Sequence, residues 1–241
     1  WLLAFRLARR ELRGGLRGFR VFVAAIALGV AAIAAVGSVG AAVEAALQRD
    51  ARLMLGGDVE LQLVQRPPSA AEAVFLQQQA AAISQVVEMR AMASPAGGRD
   101  GRAMVELKAV DAAYPLLGAV EVGGGSRASP LVTLLAEQDG AWGALADAAL
   151  LAKLGLVQGE RLRVGEAVFA IRGVIGREPD RVASVISFGP RLMVAAAALP
   201  ATGLVQPGSL VRWKTRLLLP PAVAAGDFTT DAGAAFPQAG R

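Results

Sequence analysis

Two carboxylates one residue apart, Glu178 and Asp180 in the run Glu178-Pro179-Asp180-Arg181, are candidates for acid–base chemistry. A pair of this kind can divide the work, one group holding a proton while the other stays ionised, provided both reach a shared cleft. Spacing alone does not create that cleft. The same run also reads as a charged loop that ties neighbouring strands together through Arg181 or Arg191, and this is the preferred reading.

The other chemical candidates are weaker. Gly124-Gly125-Ser126-Arg127-Ala128 partly matches a nucleophile elbow, with Ala where the last Gly belongs. The chain contains no His, so Ser126 has no imidazole base, and no Ser-x-x-Lys occurs; a flexible loop is the better reading. Leu199-Pro200-Ala201-Thr202-Gly203 spells a sortase sorting signal, but Arg212, Lys214 and Arg216 interrupt the apolar tail such a signal needs. A turn explains the Pro and the Gly. The absence of Cys and His excludes disulfides, thiolate nucleophiles, Cys/His zinc sites and a Ser-His-Asp triad. No G-x-x-x-x-G-K-[ST] is present, so any ATPase working with this chain is another polypeptide. No catalytic, cofactor-binding or metal-ligating residue is assigned, and no cofactor is expected.

Positioning of all these residues depends on residues 21–43, which carry no charge between Arg20 and Glu44. As a helix they reach roughly 34 Å, enough to cross a hydrocarbon core of about 30 Å. A cleaved signal peptide would have a shorter apolar stretch, so an uncleaved anchor is favoured. Six of the 25 basic residues and one of the 20 acidic ones lie within residues 1–20, which leaves 19 of each beyond. A neutral body offers no footprint for a phosphate backbone, and nucleic-acid binding is rejected. Arginines before the span place the N-terminus in the cytoplasm and the body across the inner membrane. Arg6, Arg10, Arg13, Arg17 and Arg20 share one helical face, and Phe5, Leu12, Leu16 and Phe19 share another. That describes an interfacial helix against anionic lipid. Ala25 with Gly29, and Gly37 with Ala41, give the small-residue spacing that lets partner helices approach. The helix is expected to run on through Leu47 and Arg52 to Gly56-Gly57.

Beyond it, alternation over 58–65 predicts a strand, and Ser69 with Glu72 forms a capping box that opens a helix to about residue 85. Strands follow at 86–93 and 102–110, then a helix over 143–154 and short strands at 161–164, 168–175, 185–188 and 209–219. The pattern is α+β. Its expected divisions are a basic interfacial helix (1–20), a transmembrane helix with its extension (21–55), an α+β part (56–125), a β-rich part (126–219) and a flexible tail (220–241). The Trp1 start and the unpatterned tail suggest a fragment.

Several short runs, in this order, carry a resemblance: Arg49-Asp50-Ala51-Arg52, Gly56-Gly57-Asp58-Val59-Glu60-Leu61, Leu154-Gly155-Leu156 with Gly159-Glu160, Gly173-Val174-Ile175, Arg177-Glu178-Pro179-Asp180-Arg181, Phe188-Gly189-Pro190-Arg191 and Leu199-Pro200-Ala201-Thr202-Gly203-Leu204. With the basic leader and the span, they resemble the N-terminal part of an FtsX/MacB-type ABC transporter permease of the YbbP-like branch. The resemblance implies one transmembrane helix followed by a MacB-like periplasmic core domain with an α+β and a β-rich subdomain. It implies a non-enzymatic permease subunit that works with a cytoplasmic ABC ATPase, further permease helices and membrane lipid, by mechanotransmission, on lipids, lipoproteins or export substrates. The later FtsX helices are absent from this sequence. Alternatives are a signal-anchored adaptor or sensor and, behind it, an envelope hydrolase using Glu178 and Asp180.

Overall fold

A computed structural model describes Arg6 and residues 16–123, 130–180 and 189–236. It falls into two compact units, Trp1–Asp50 and Ala51–Arg241.

Helix α1 (Leu16–Leu55) is continuous over 40 residues. Its stretch Phe19–Val43 has mean hydropathy 2.4, and none of its most apolar window is buried. Ile33 and Val36 are about three-quarters exposed, at 76% and 74%. A helix this long and apolar can cross a membrane. Most of the leader lies outside the described residues; residues 16–20 belong to α1, so residue 20 is no boundary in the helix. The stop falls where the glycines predict it. Gly56 adopts φ +74°, its N–H donates to Leu53 O at 3.2 Å, and the Gly57 N–H donates to Arg52 O at 3.2 Å. These two bonds satisfy carbonyls the helix end leaves open, as a Schellman turn does.

Among the described residues the second unit is built on a ten-stranded sheet. Its strands are β1 (Val59–Val64), β2 (Ala82–Pro95), β3 (Ala103–Val110), β4 (Glu121–Gly123), β5 (Glu137–Gln138), β6 (Ala141–Asp147), β7 (Arg161–Val164), β8 (Ala167–Arg177), β9 (Arg191–Ala195) and β10 (Arg212–Leu218). The order is β1-β10-β2-β3-β9-β6-β8-β4, with β5 on β6 and β7 pairing both β2 and β8. The β7 pairings close β2, β3, β9, β6, β8 and β7 into a ring. Val105, Leu107, Ala144, Leu162, Phe169, Ile171, Leu192 and Val194 fill it. Strands from 56–125 and from 126–219 thus share one sheet and one core. β1 and β10 lie outside the ring and pair with each other, Val59 opposite Leu217 through Val64 opposite Arg212.

Among the described residues the other α-helices are α2 (Ala70–Gln79), α3 (Leu131–Leu135), α4 (Ala148–Leu154), α5 (Leu199–Thr202) and α6 (Ala225–Ala235). Three expectations need correction. Helix α2 starts at the Ser69–Glu72 capping box as predicted but ends at Gln79, not near 85. Residues 82–85 join β2, because Ile83 and Ser84 pair across to β10. Residues 143–147, expected as helix, are strand β6, buried between β8 and β9; an Ala-rich stretch buried on both faces carries no period that separates strand from helix. The helix begins only after Asp147, whose Oδ1 accepts from the Ala149 N–H at 3.0 Å. Residues 220–241, expected as a flexible tail, include α6, which buries Phe228 beside Leu76 and Leu217. The strand at 185–188 lies outside the described residues.

Candidate functional site: a buried charge network

Alternation along the strands places charges on one face of the sheet. Register sets Glu60 opposite Arg216, Glu88 opposite Lys108 and Glu106 opposite Arg191. The opposite face carries Val87, Leu107, Leu192 and Leu217, all buried. Onto the charged face comes the segment after β8, bringing Glu178 and Asp180.

Lys108 is the centre. Its side chain is fully buried, and its Nζ donates to Asp180 Oδ2 at 2.7 Å, Asp180 Oδ1 at 2.8 Å, Tyr114 Oη at 2.8 Å and Glu178 Oε2 at 3.2 Å. The Tyr114 hydroxyl in turn donates to Asp180 Oδ1 at 2.7 Å. Arg216 forms a close ion pair with Asp180, its Nη1 not aligned for a hydrogen bond, and its Nε donates to Glu60 Oε2 at 2.9 Å. Arg191 stands 3.6 Å from Glu178, 3.6 Å from Glu88 and 3.7 Å from Glu106. Lys214 links Glu88 at 3.2 Å to Glu60 at 3.7 Å. The network therefore joins β1, β10, β2, β3 and β9 to the segment after β8.

Its electrostatics are those of a lock. Burial alone would raise the Asp180 carboxyl, but the charges of Lys108 and Arg216, with hydrogen bonds from Lys108 and Tyr114, hold it well below the usual carboxylate range. Burial raises the Tyr114 phenol far above its ordinary value, and Asp180 adds to that. Burial opposes ionisation of Glu88 too, yet Lys214, Arg191 and Lys108 together lower it. Arg216 is raised: Asp180 and Glu60 outweigh its desolvation. A general acid or base needs a value near working pH and a path to substrate. The displacements hold Asp180 ionised and Tyr114 protonated. Glu178 and Asp180 do converge, but upon Lys108 and buried at 2% and 7% exposure. The tying role is carried by Arg191, Lys108 and Arg216; Arg181 lies outside the described residues.

The network members Lys108, Tyr114, Arg216, Lys214, Glu60 and Glu88 were not singled out as site residues from sequence. The available signal was one lysine inside the strand run Glu106-Leu107-Lys108-Ala109-Val110, and charges at alternate positions of β10. Of the other candidates, residues 124–128 lie outside the described residues. Leu199 and Thr202 are buried in α5, and Gly203 closes it at φ +65°; the segment is a structural turn. No group of three or more Asp or Glu able to hold a metal occurs among the described residues.

With this geometry in hand, the decisive comparison is that residues 21–223 match the model of the MacB-like periplasmic core domain. The chain belongs to that family. A relative, the uncharacterized ABC transporter permease YbbP of Escherichia coli (strain K12), is 30% identical over 191 residues, covering 79% of this chain and 22% of the relative. The chain thus spans about a fifth of that relative's length. Solved structures that resemble it include the periplasmic region of MacB from Actinobacillus actinomycetemcomitans, with TM-score 0.46, 9% identity and 77% and 85% of the two chains covered. The extracellular domain of the noncanonic ABC-type transporter YknZ from Gram-positive bacteria gives TM-score 0.44, 11% identity and 73% and 89% coverage. The family match of residues 21–223 takes in both the apolar stretch of α1 and the mixed α and β core that follows it, the order expected from the motifs.

Proposed function

We propose that this chain is the first-helix and periplasmic part of a permease subunit in an ABC transporter of the FtsX/MacB mechanotransmission type. The subunit sits in the bacterial inner membrane with its N-terminus in the cytoplasm. It works with a cytoplasmic ABC ATPase and with further permease helices, supplied by the rest of a longer chain or by a second copy. Its substrates are lipids, lipoproteins or exported molecules, and it performs no covalent chemistry of its own.

One observation carries this reading: the end of α1 is coupled to the charge network by a short, bonded path. Only three residues separate α1 from β1. Arg52, in the last turn of α1, forms a salt bridge with Asp58. The Asp58 N–H donates to Leu217 O at 2.8 Å, and the Leu219 N–H donates to Asp58 Oδ2 at 2.8 Å. Thus β10 is gripped at the point where the chain leaves the helix, and β10 carries Arg216 into the buried network. A displacement of the helix end would reach the sheet without a slack linker to absorb it. Local elements with two discrete arrangements are what such coupling requires. The hydrolase alternative loses its support, because Glu178 and Asp180 are buried in ion pairs.

The test is affinity isolation of the full-length protein from membranes, with mass spectrometry of what accompanies it. An ABC ATPase in near-stoichiometric amount is expected. Recovery of the protein with no ATPase would reject the permease reading and favour a single-pass adaptor.

A further inference from the structure

We propose that the cavity between β2 and the segment joining α5 to β10 binds an apolar anion, a carboxylate, sulfonate or phosphate joined to a hydrocarbon body. The cavity arises from the strand pairing itself. β2 pairs with β10 as far as Glu88 and with β7 only from Ala93 onward, so the sheet is open on that side beside residues 89–92. The cavity measures about 620 Å³, within the range of small-molecule sites. Val64, Met89, Leu204, Leu210 and Val211 supply its apolar lining. Arg90 and Arg212 supply its charge, and no carboxylate occurs among the described lining residues.

Three features select an anion with an apolar body. First, Arg212 has no internal counterion: among the described residues its guanidinium makes no hydrogen bond and no ion pair. The carboxylate directly opposite it on β2, Glu88, is turned instead to Lys214 at 3.2 Å and Arg191 at 3.6 Å. Second, register turns the side chains of Arg212, Val64 and Arg90 to one face of the sheet. Charge and apolar surface therefore lie side by side, with Val64 and Leu210 left 53% and 78% exposed. Third, the wall is preorganised. Ser209 Oγ donates to Leu204 O at 3.0 Å and accepts from the Gln206 N–H at 3.1 Å, and the Gln65 N–H donates to Val211 O at 2.8 Å. A wall already fixed loses little freedom when a ligand arrives. A guanidinium is weakly hydrated, and its planar fork matches a carboxylate or phosphate; a cation entering here would meet two like charges. Binding at this site requires no ATPase, so it stands or falls apart from the permease reading.

The test is equilibrium dialysis of sodium 2-naphthalenesulfonate against the full chain in phosphatidylcholine nanodiscs, with empty nanodiscs as the blank and 2-naphthylmethylammonium chloride as the cationic counterpart. Saturable retention of the sulfonate above the blank, and none of the ammonium, is expected. Arg212→Gln, at an exposed position, should weaken binding roughly five-fold, the scale of one charge about 4 Å away in water. Leu210→Glu, which sets a carboxylate at an exposed position of the lining, should abolish it. The absence of saturable retention, equal retention of the ammonium, or unchanged affinity in an Arg212→Gln variant with native circular dichroism would each overturn the proposal.

Discussion

Replacing Lys108 by Met removes the one cation among the described residues that reaches both Glu178 and Asp180, while keeping similar bulk. The ammonium makes four contacts of 2.7–3.2 Å, all to buried groups. Without it Asp180 retains Arg216 and Tyr114. Among the described residues Glu178 then retains only Arg191 at 3.6 Å as a cationic partner, and its Oε1 has no hydrogen-bond partner there even with Lys108 present. Removing one partner of a buried ion pair leaves an uncompensated charge and costs about 3–5 kcal/mol. For a domain of this size each kcal/mol moves Tm by about 2–4 °C, so Lys108→Met should lower it by roughly 10 °C. Thermal unfolding followed by circular dichroism in nanodiscs measures this. The sharper check adds Asp180→Asn: residues in one network are non-additive, so the double variant should lose at least about 1 kcal/mol less than the two singles summed. A Tm within about 2 °C of the parent for Lys108→Met, or strict additivity, would refute the claim that this network locks the sheet.

Other outcomes follow from particular residues. Asp180 and Glu88 are held below the ordinary carboxylate range, and hydrogen bonding from Arg66 takes Glu72 to about 2. The unfolded chain therefore binds protons first as pH falls, so stability is complete above about pH 5 and drains away toward pH 2; thermal melts across that range should show the decline, and Asp180→Asn should flatten it. Gly143→Ala should destabilise by at least about 1–3 kcal/mol, because an added Cβ would lie 1.8 Å from the Leu134 carbonyl oxygen; a melt matching the parent would contradict this packing. Ser69→Ala removes the cap of α2 and should cost about 1 kcal/mol, a fall of about 2–4 °C.

How much of this was legible in the sequence depends on the kind of signal. The uncharged run before Glu44, the Gly56-Gly57 stop and the Ser69–Glu72 capping box are local, and each sits where the sequence put it. The end of α2 and the nature of residues 143–147 were not legible locally, since pairing of Ile83 with β10 and of Ala144 with β8 and β9 overrode the local pattern. Helix α6 was hidden because its single large buried anchor, Phe228, packs against residues such as Leu76, far away in sequence. The charge network is the clearest case. Glu60 and Lys214 alternate as they would on a solvated face, and that face is covered by residues distant in sequence, Tyr114 and the segment returning at Glu178 and Asp180. Convergence of residues 60, 108, 180 and 216 is a property of the closed sheet, and no spacing in the chain announces it.

The side of the membrane on which the folded unit lies is the most direct measurement. The chain has no cysteine, so single cysteines report without background. Arg6→Cys and Val157→Cys, both at exposed positions, are expressed in cells converted to spheroplasts and treated with a membrane-impermeant maleimide. Val157→Cys should label in intact spheroplasts and Arg6→Cys only after lysis. Protection of Val157→Cys until lysis would put the body in the cytoplasm and contradict the permease account.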